Sequence, residues 1–469
     1  MPVSIQLYVI LNHKQAKLFG PVTTALKLCC LKVSAFLVWP ATLLRQARSC
    51  FLSMQYSCFP PRVPFNAGLL SSVRLKAQRK QASFVGMASF LLLSLGLIGP
   101  VSGQIVAAGG TYTAVIRADS TLWSWGNLTY DPGWESPPDR KTGPAPQGHT
   151  VRWQSVAVGE HHALAVRRDG TLWAWGSNAR GQVCLGGTAR VSSPVQIKSA
   201  STWRQVAGGY SHSLAIRTDG TLWGWGYNRA VQTRDVKAAN QARSAAGSKT
   251  ASLPAPMPLG PPGASWRSVA AGERYTLALR SDGTLWAWGQ IEDRSVETWA
   301  DPQQAASIPW RGPIQIGTST SWQSIAVGYD YALALQQDGT LWAWGNNEHG
   351  QLGRGDQSYA PNPVQISPGV RWQCLAAGRS HTLAVRRDGT LWAWGHNDEG
   401  QLGDGTTSTR LSPVQIGTDS AWRSVAAGRF HSVAVKRDGT VWTWGNNDAG
   451  QLGNSAESTR SPQLVSALR

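Results

Sequence analysis

One position in this chain alternates between imidazole and phenol at near-regular intervals: Tyr112, His162, His212, Tyr275, Tyr331, His381 and His431. Seven such groups invite metal or acid–base chemistry, because histidine ligates zinc and exchanges protons near neutral pH. Their distribution argues otherwise. One per repeat unit spreads them around an array, no Asp, Glu or Cys stands nearby to complete a metal site, and Tyr replaces His at three positions. Hydrogen bonding tolerates that exchange and zinc ligation does not, so the seven are read as a structural ring. Ser211-His212 and Ser380-His381 pair a hydroxyl with an imidazole, but no third group orients the base. Ala246-Gly247-Ser248-Lys249-Thr250 holds phosphate-loop residues at the wrong spacing. Beyond residue 103 only Cys184 and Cys374 remain, in units expected to lie well apart. A disulfide needs Cα atoms within about 7 Å, so two free thiols are predicted. No catalytic residue, cofactor or metal is predicted.

The elements that carry these positions repeat. The phrase Asp388-Gly389-Thr390-Leu391-Trp392-Ala393-Trp394-Gly395, or a close variant, places its first Trp at 123, 173, 223, 286, 342, 392 and 442. A recurrence of this length indicates a repeat architecture. Each copy sits in a unit best preserved from Trp372 to Ile416, which reads as four short strands. Asp-Gly supplies a hairpin signal, since glycine accepts positive φ at little cost. In Leu391-Trp392-Ala393-Trp394 the side chains alternate between faces, and both faces are apolar. Such a strand needs cover on both sides, which stacked sheets around a closed ring provide. The prediction is an all-β fold, a seven-bladed β-propeller of four-stranded antiparallel blades over residues 104–469.

The pattern Ala-Ala-Gly-x-x-His-Thr-Leu-Ala-Val, Leu-Trp-x-Trp-Gly, Asn-x-x-Gly-Gln-Leu-Gly and Pro-Val-Gln-Ile, seen from Ala376 to Ile416, resembles the regulator of chromosome condensation repeat. That resemblance implies the propeller independently. It also implies an activity, guanine-nucleotide exchange on a small nuclear GTPase with chromatin association, delivered by a wedge inserted into the GTPase. No stretch of this chain matches such a wedge.

Charge divides unevenly. The chain carries a formal +18, but its first 103 residues hold 11 Lys or Arg and no Asp or Glu, leaving 33 basic and 26 acidic residues to the propeller. A nucleic-acid partner is therefore not expected. Residues 1–72 show no period and are read as a poorly ordered extension, or as translated sequence upstream of the true start. Residues 73–103 look like a signal peptide: Arg74, Lys76, Arg79 and Lys80, then the apolar run from Phe84 to Ile98, then Gly99-Pro100-Val101-Ser102-Gly103. The expectation is an exported monomer, periplasmic, extracellular or at the cell surface, that meets a membrane only through an uncleaved leader. A cytoplasmic or nuclear location follows if the leader is no signal.

Two connections break the spacing. From Trp-Gly to the next leading Trp is 27 residues in units one, two, five and six, but 40 in unit three and 33 in unit four. Long connections without structure of their own are often functional. The candidate binding residues are thus Arg229, Arg234, Lys237, Arg243 and Lys249 in the first, and Trp299 and Trp310 in the second. Together these readings predict a non-enzymatic protein-interaction platform whose partner is a protein.

Overall fold

The computed structural model describes residues 105–128, 143–148, 151–187, 189–197, 199, 202–227, 252–273, 275–289, 313–454 and 457–468. The leader and signal-like segment fall outside these residues. So do all seven candidate loop residues: Arg229, Arg234, Lys237, Arg243, Lys249, Trp299 and Trp310.

The strands form seven four-stranded antiparallel sheets, each from consecutive stretches of chain. Blade six shows the pattern, with strands Trp372–Ala377, His381–Arg386, Leu391–Gly395 and Arg410–Gln415. The blades span 105–146, 153–196, 203–259, 266–315, 322–366, 372–415 and 422–464. The fourth strands of blades one and four are only two residues long, Ala145–Pro146 and Ile314–Gln315. Prolines such as Pro194, Pro413 and Pro462 sit on fourth strands, where a missing N–H discourages pairing with another chain.

The Asp-Gly phrase builds the turn between second and third strands. Gly389 takes φ +87°, and the Asp388 carboxylate accepts from Thr390 N at 2.9 Å and Thr390 Oγ1 at 2.6 Å. Trp392 Nε1 in turn donates to Thr390 Oγ1 at 2.9 Å, which explains why Thr follows Asp-Gly. The two Trp of the phrase then differ. Trp394 is fully buried and Trp392 only partly. Trp392 lies at the hairpin end of the blade, edge-on to Trp372 at 6.3 Å, with Arg386 stacked 3.3 Å above its ring. Arg167 and Arg217 cover Trp173 and Trp223 in the same way, and Lys436 covers Trp442. Only the second Trp of the phrase thus lies fully in the core, and the inner hairpin cation of these four blades is spent on the first.

Blades are joined by two repeated devices. First, each ring imidazole meets the hydroxyl that opens the second strand of the next blade. His162 Nε2 faces Ser213 Oγ at 2.9 Å, His381 Nε2 faces Ser432 Oγ at 3.1 Å, and His431 Nε2 closes the ring onto Thr113 Oγ1 at 2.9 Å. Second, Gly-Gln-Leu-Gly folds back so that its Gln carbonyl serves the next blade. Gln351 O accepts from Thr382 Oγ1 at 2.8 Å and Trp394 Nε1 at 2.9 Å. Gln401 O serves Ser432 and Trp444, Gln451 O serves Thr113 and Trp125, and Gln182 O serves Ser213 and Trp225. The last glycine of the motif is required, because a Cβ on Gly353 would lie 2.7 Å from Trp394 Nε1.

Blades one, three and four lack that motif, and the partners it would serve adapt. Trp175 Nε1 takes the Tyr112 hydroxyl at 3.3 Å. Trp288 Nε1 is buried without a partner, and Ala163 and Ala332 stand where the other five blades place a hydroxyl. Blade four is therefore joined on both sides without the Gln carbonyl.

Candidate functional site

The seven first strands end together around one opening. Each is closed by a Gly and then by a residue that is Gly, Glu, Tyr or Arg according to the blade: Gly110, Glu160, Tyr210, Glu273, Tyr329, Arg379 and Arg429 line a cavity of about 90 Å³. That is room for about three waters, far below the 300–1,000 Å³ of a small-molecule pocket. The opening is a mouth that presents side chains, not a chamber that swallows a ligand.

Its backbone is fixed. The amide of each variable residue donates to a carbonyl of the next blade: Glu160 to Gly209 (3.3 Å), Tyr210 to Gly272 (3.2 Å), Glu273 to Tyr329 (3.2 Å), Tyr329 to Arg379 (3.3 Å), Arg379 to Gly428 (3.2 Å) and Arg429 to Gly110 (3.0 Å). This belt uses main-chain atoms only, so the side chain above it is free to vary. Gly110 is the exception, since a Cβ there would strike Glu160 O at 2.0 Å. Across that gap Arg429 Nη1 pairs with Glu160 Oε1 at 3.2 Å, both largely buried.

The opposite sector is aromatic. Tyr210 and Tyr329 meet edge-on at 6.1 Å, His161 packs on Tyr210 at 5.5 Å, and the Arg379 guanidinium lies 4.3 Å over Tyr329. Burial, and then the Glu273 carboxylate that accepts its hydrogen bond, push the Tyr329 hydroxyl up to about 12, so it remains a donor. Behind this rank His349 and His396 stack edge-on at 4.6 Å. Gln401 Nε2 donates to His396 Nδ1 at 2.8 Å, which leaves His396 Nε2–H to reach Asp398 at 3.1 Å.

The predicted ring lies directly beneath the mouth. His162, His212, His381 and His431 are fully buried, and Tyr112, Tyr275 and Tyr331 are at most 5% exposed. Burial alone holds His212 at about 4 and His431 at about 3. For His162 and His381, burial first and neighbouring imidazoles second hold the value at about 3. All four are thus neutral, and Thr113, Ser213 and Ser432, whose hydroxyls donate to Gln carbonyls, accept from Nε2–H. Tyr331 donates to His381 O at 2.5 Å, and Tyr275 donates to Tyr331 O. The geometry gives each of these groups a joining bond and none an opening to substrate.

The two long connections lie outside the described residues, but their anchors do not. Tyr227 and Gly289 close the third strands of blades three and four, and these ends pair with His212 and Tyr275 beside the mouth. Both connections therefore leave the ring at the mouth end. Sequence reading passed over the mouth residues themselves. Their signal was a position that holds Gly, Glu, Tyr or Arg inside the recurrent Gly-x-x-His/Tyr turn. The two remaining cysteines are both thiols, and burial pushes Cys184 up to about 11 and Cys374 up to about 12.

Comparison with known proteins adds a family. The RCC1-like domain matches residues 234–469, and the regulator of chromosome condensation (RCC1) repeat matches 169–216, with a second form of it at 153–182 and 203–230. The mouse regulator of chromosome condensation is 32% identical over 93 residues, 20% of this chain and 21% of that protein. The guanine nucleotide exchange factor SRM1 of Saccharomyces cerevisiae is 31% identical over 90 residues, 18% of each chain. The matched stretch thus spans about a fifth of these relatives' length. The crystal structure of Prp20p from Saccharomyces cerevisiae, reported with its binding to Gsp1p and histones, superposes with a TM-score of 0.60 at 22% identity. It covers 73% of this chain and 85% of that one, a likeness of fold.

Proposed function

Because the chain belongs to the RCC1-like family, in which one propeller scaffold can carry unrelated sites, we propose that it is a non-enzymatic protein-interaction platform whose partner docks at the channel mouth. One observation carries this reading. A turn position that carries Glu, Tyr or Arg according to the blade is gathered at one rigid opening, as Glu160, Tyr210, Glu273, Tyr329, Arg379 and Arg429. Tyr and Arg are the residues that most often dominate protein interfaces. Arg229, Arg234, Lys237, Arg243, Lys249, Trp299 and Trp310 extend the site along the connections of blades three and four, whose anchors flank the mouth. The proposal includes export, resting on the basic and apolar segments of residues 74–103.

The test is capture of native partners by the full chain and by two variants, Tyr329→Ala with Arg379→Ala, and a chain whose two long connections are cut to the common spacing. Loss of the same partner in both, with unchanged melting, supports the site. Retention in both removes it.

Guanine-nucleotide exchange on a small GTPase, with chromatin association, is the second reading. It is favoured by the yeast relative named as an exchange factor. Accelerated release of a fluorescent guanine nucleotide from a GTPase would establish it in place of the first, and an unchanged release rate rejects it.

A further inference from the structure

The end of the ring opposite the mouth has a different chemistry. Here the hairpins close and the first strands begin. Among the described residues its carboxylates are the seven hairpin aspartates and Asp419. Each hairpin Asp is turned into its own turn, accepting from the Thr two residues on, as Asp169 and Asp438 do at 2.6–2.9 Å. Asp419 is paired with Lys436 Nζ at 2.5 Å. The inner cation of the hairpin stacks on Trp, as described above.

What faces outward is arginine. Arg168, Arg387 and Arg437 come from the hairpins, and Arg204 and Arg267 from the position after the leading Trp. Among the described residues none of the five is paired with a carboxylate. Three are braced along one edge. Arg204 Nη2 donates to Trp266 O at 2.8 Å, Arg267 Nη2 to Trp322 O at 2.6 Å and Arg387 Nη2 to Gln337 O at 3.1 Å. A guanidinium held by one edge has lost part of its rotamer freedom already, so it binds a second acceptor at lower entropic cost.

We propose that this end is a second docking surface, and that its ligand is an acidic segment of a protein, with Asp and Glu carboxylates taken by Arg168, Arg204, Arg267, Arg387 and Arg437. The guanidinium fork matches a carboxylate with two parallel hydrogen bonds. Two observations favour protein over nucleic acid. The rings of Trp173, Trp223, Trp392 and Trp442 at this end are already covered by Arg167, Arg217, Arg386 and Lys436, which reduces the aromatic face offered to a base. One hairpin carboxylate per blade also interrupts the positive field, which a continuous phosphate chain meets at every step and spaced carboxylates avoid. This surface does not rest on the mouth reading, and together the two would let one ring bridge two partners.

The experiment measures fluorescence anisotropy of a labelled Asp/Glu-rich peptide with the full chain, beside an uncharged peptide, single-stranded DNA and duplex DNA. R168Q/R387Q/R437Q is the main variant, and R204Q/R267Q the second, since these two also brace a blade joint; melting is followed for both. The expected result is binding of the acidic peptide that falls with added salt and weakens by about tenfold in the main variant with unchanged melting. Equal binding by both variants, no binding at low salt, or tighter binding of either DNA overturns the proposal.

Discussion

Two buried threonines occupy the same register and differ in what they join. Thr113 Oγ1 donates to Gln451 O at 2.9 Å and faces His431 Nε2 at 2.9 Å, holding blade seven to blade one. Thr276 Oγ1 faces His212 Nε2 at 3.4 Å, and blade three offers no Gln carbonyl to it. Both are fully buried. Replacing each by Val keeps the shape and removes only the hydroxyl. At Thr113 that deletes two hydrogen bonds and strands the His431 Nε2–H in the core, whose Nδ1 already has no partner. With about 0.5–1.5 kcal/mol per bond and about 1–3 kcal/mol for a buried unsatisfied donor, the loss should be about 3 kcal/mol. At Thr276 one long bond goes and the His212 Nε2–H is stranded likewise, so the loss should be smaller than at Thr113 by the missing Gln carbonyl bond alone, and about 2 kcal/mol is expected. Urea titrations of the full chain, compared by midpoint at constant slope, give the difference. Losses that agree within about 0.5 kcal/mol would refute the idea that the Gln carbonyl latches the blades.

Other consequences follow from the same packing. Trp394→Ala should cost about 3–5 kcal/mol, as a fully buried aromatic does, while Trp392→Ala, half-covered by Arg386, should cost about 2 kcal/mol; denaturant midpoints of the two variants decide it. The four buried imidazoles have folded values of about 3 to 4, below the unfolded value, so their stabilisation is complete above pH ~6.5 and lost as pH falls toward 4. Each costs about 1.4 kcal/mol per pH unit below 6.5, so at pH 5.5 the four together remove about 5–6 kcal/mol, comparable to a domain's whole stability. Midpoints measured between pH 7.5 and 5 should fall steeply, and a flat profile would contradict the burial. Mass spectrometry of secreted protein should find Gln104 at its N-terminus, and an intact segment from Arg74 to Gly103 would contradict cleavage.

The blades were legible because their determinants are local and repeated. The Asp-Gly-Thr turn, the Trp-x-Trp strand and the Gly-x-x-His turn each occupy the same place in every sheet. What could not be read was which of two alternating Trp lies deeper. That depends on Arg386 reaching across the hairpin from the adjoining strand and on Gln351 approaching from the neighbouring blade, 43 residues from Trp394. The mouth escaped for a related reason. A residue such as Tyr329 looks unremarkable inside its own unit, and acquires meaning only when the ring sets it beside Tyr210, Glu273 and Arg379. The clustered arginines at the other end were hidden likewise, since Arg204 and Arg267 stand far from the Asp-Gly hairpins in sequence and join them only in the folded sheet.

The claim that the mouth is the docking site can be tested where it stands. A photo-crosslinking amino acid placed at Tyr210, on the rim of the opening, is compared with one at Ser412 on the exposed fourth strand of blade six. Illumination with a cell extract, followed by mass spectrometry, should join one protein to position 210 and not to 412, and the Tyr329→Ala, Arg379→Ala variant should abolish that product. A product of equal yield at 412, or one indifferent to loss of Tyr329 and Arg379, would contradict the account.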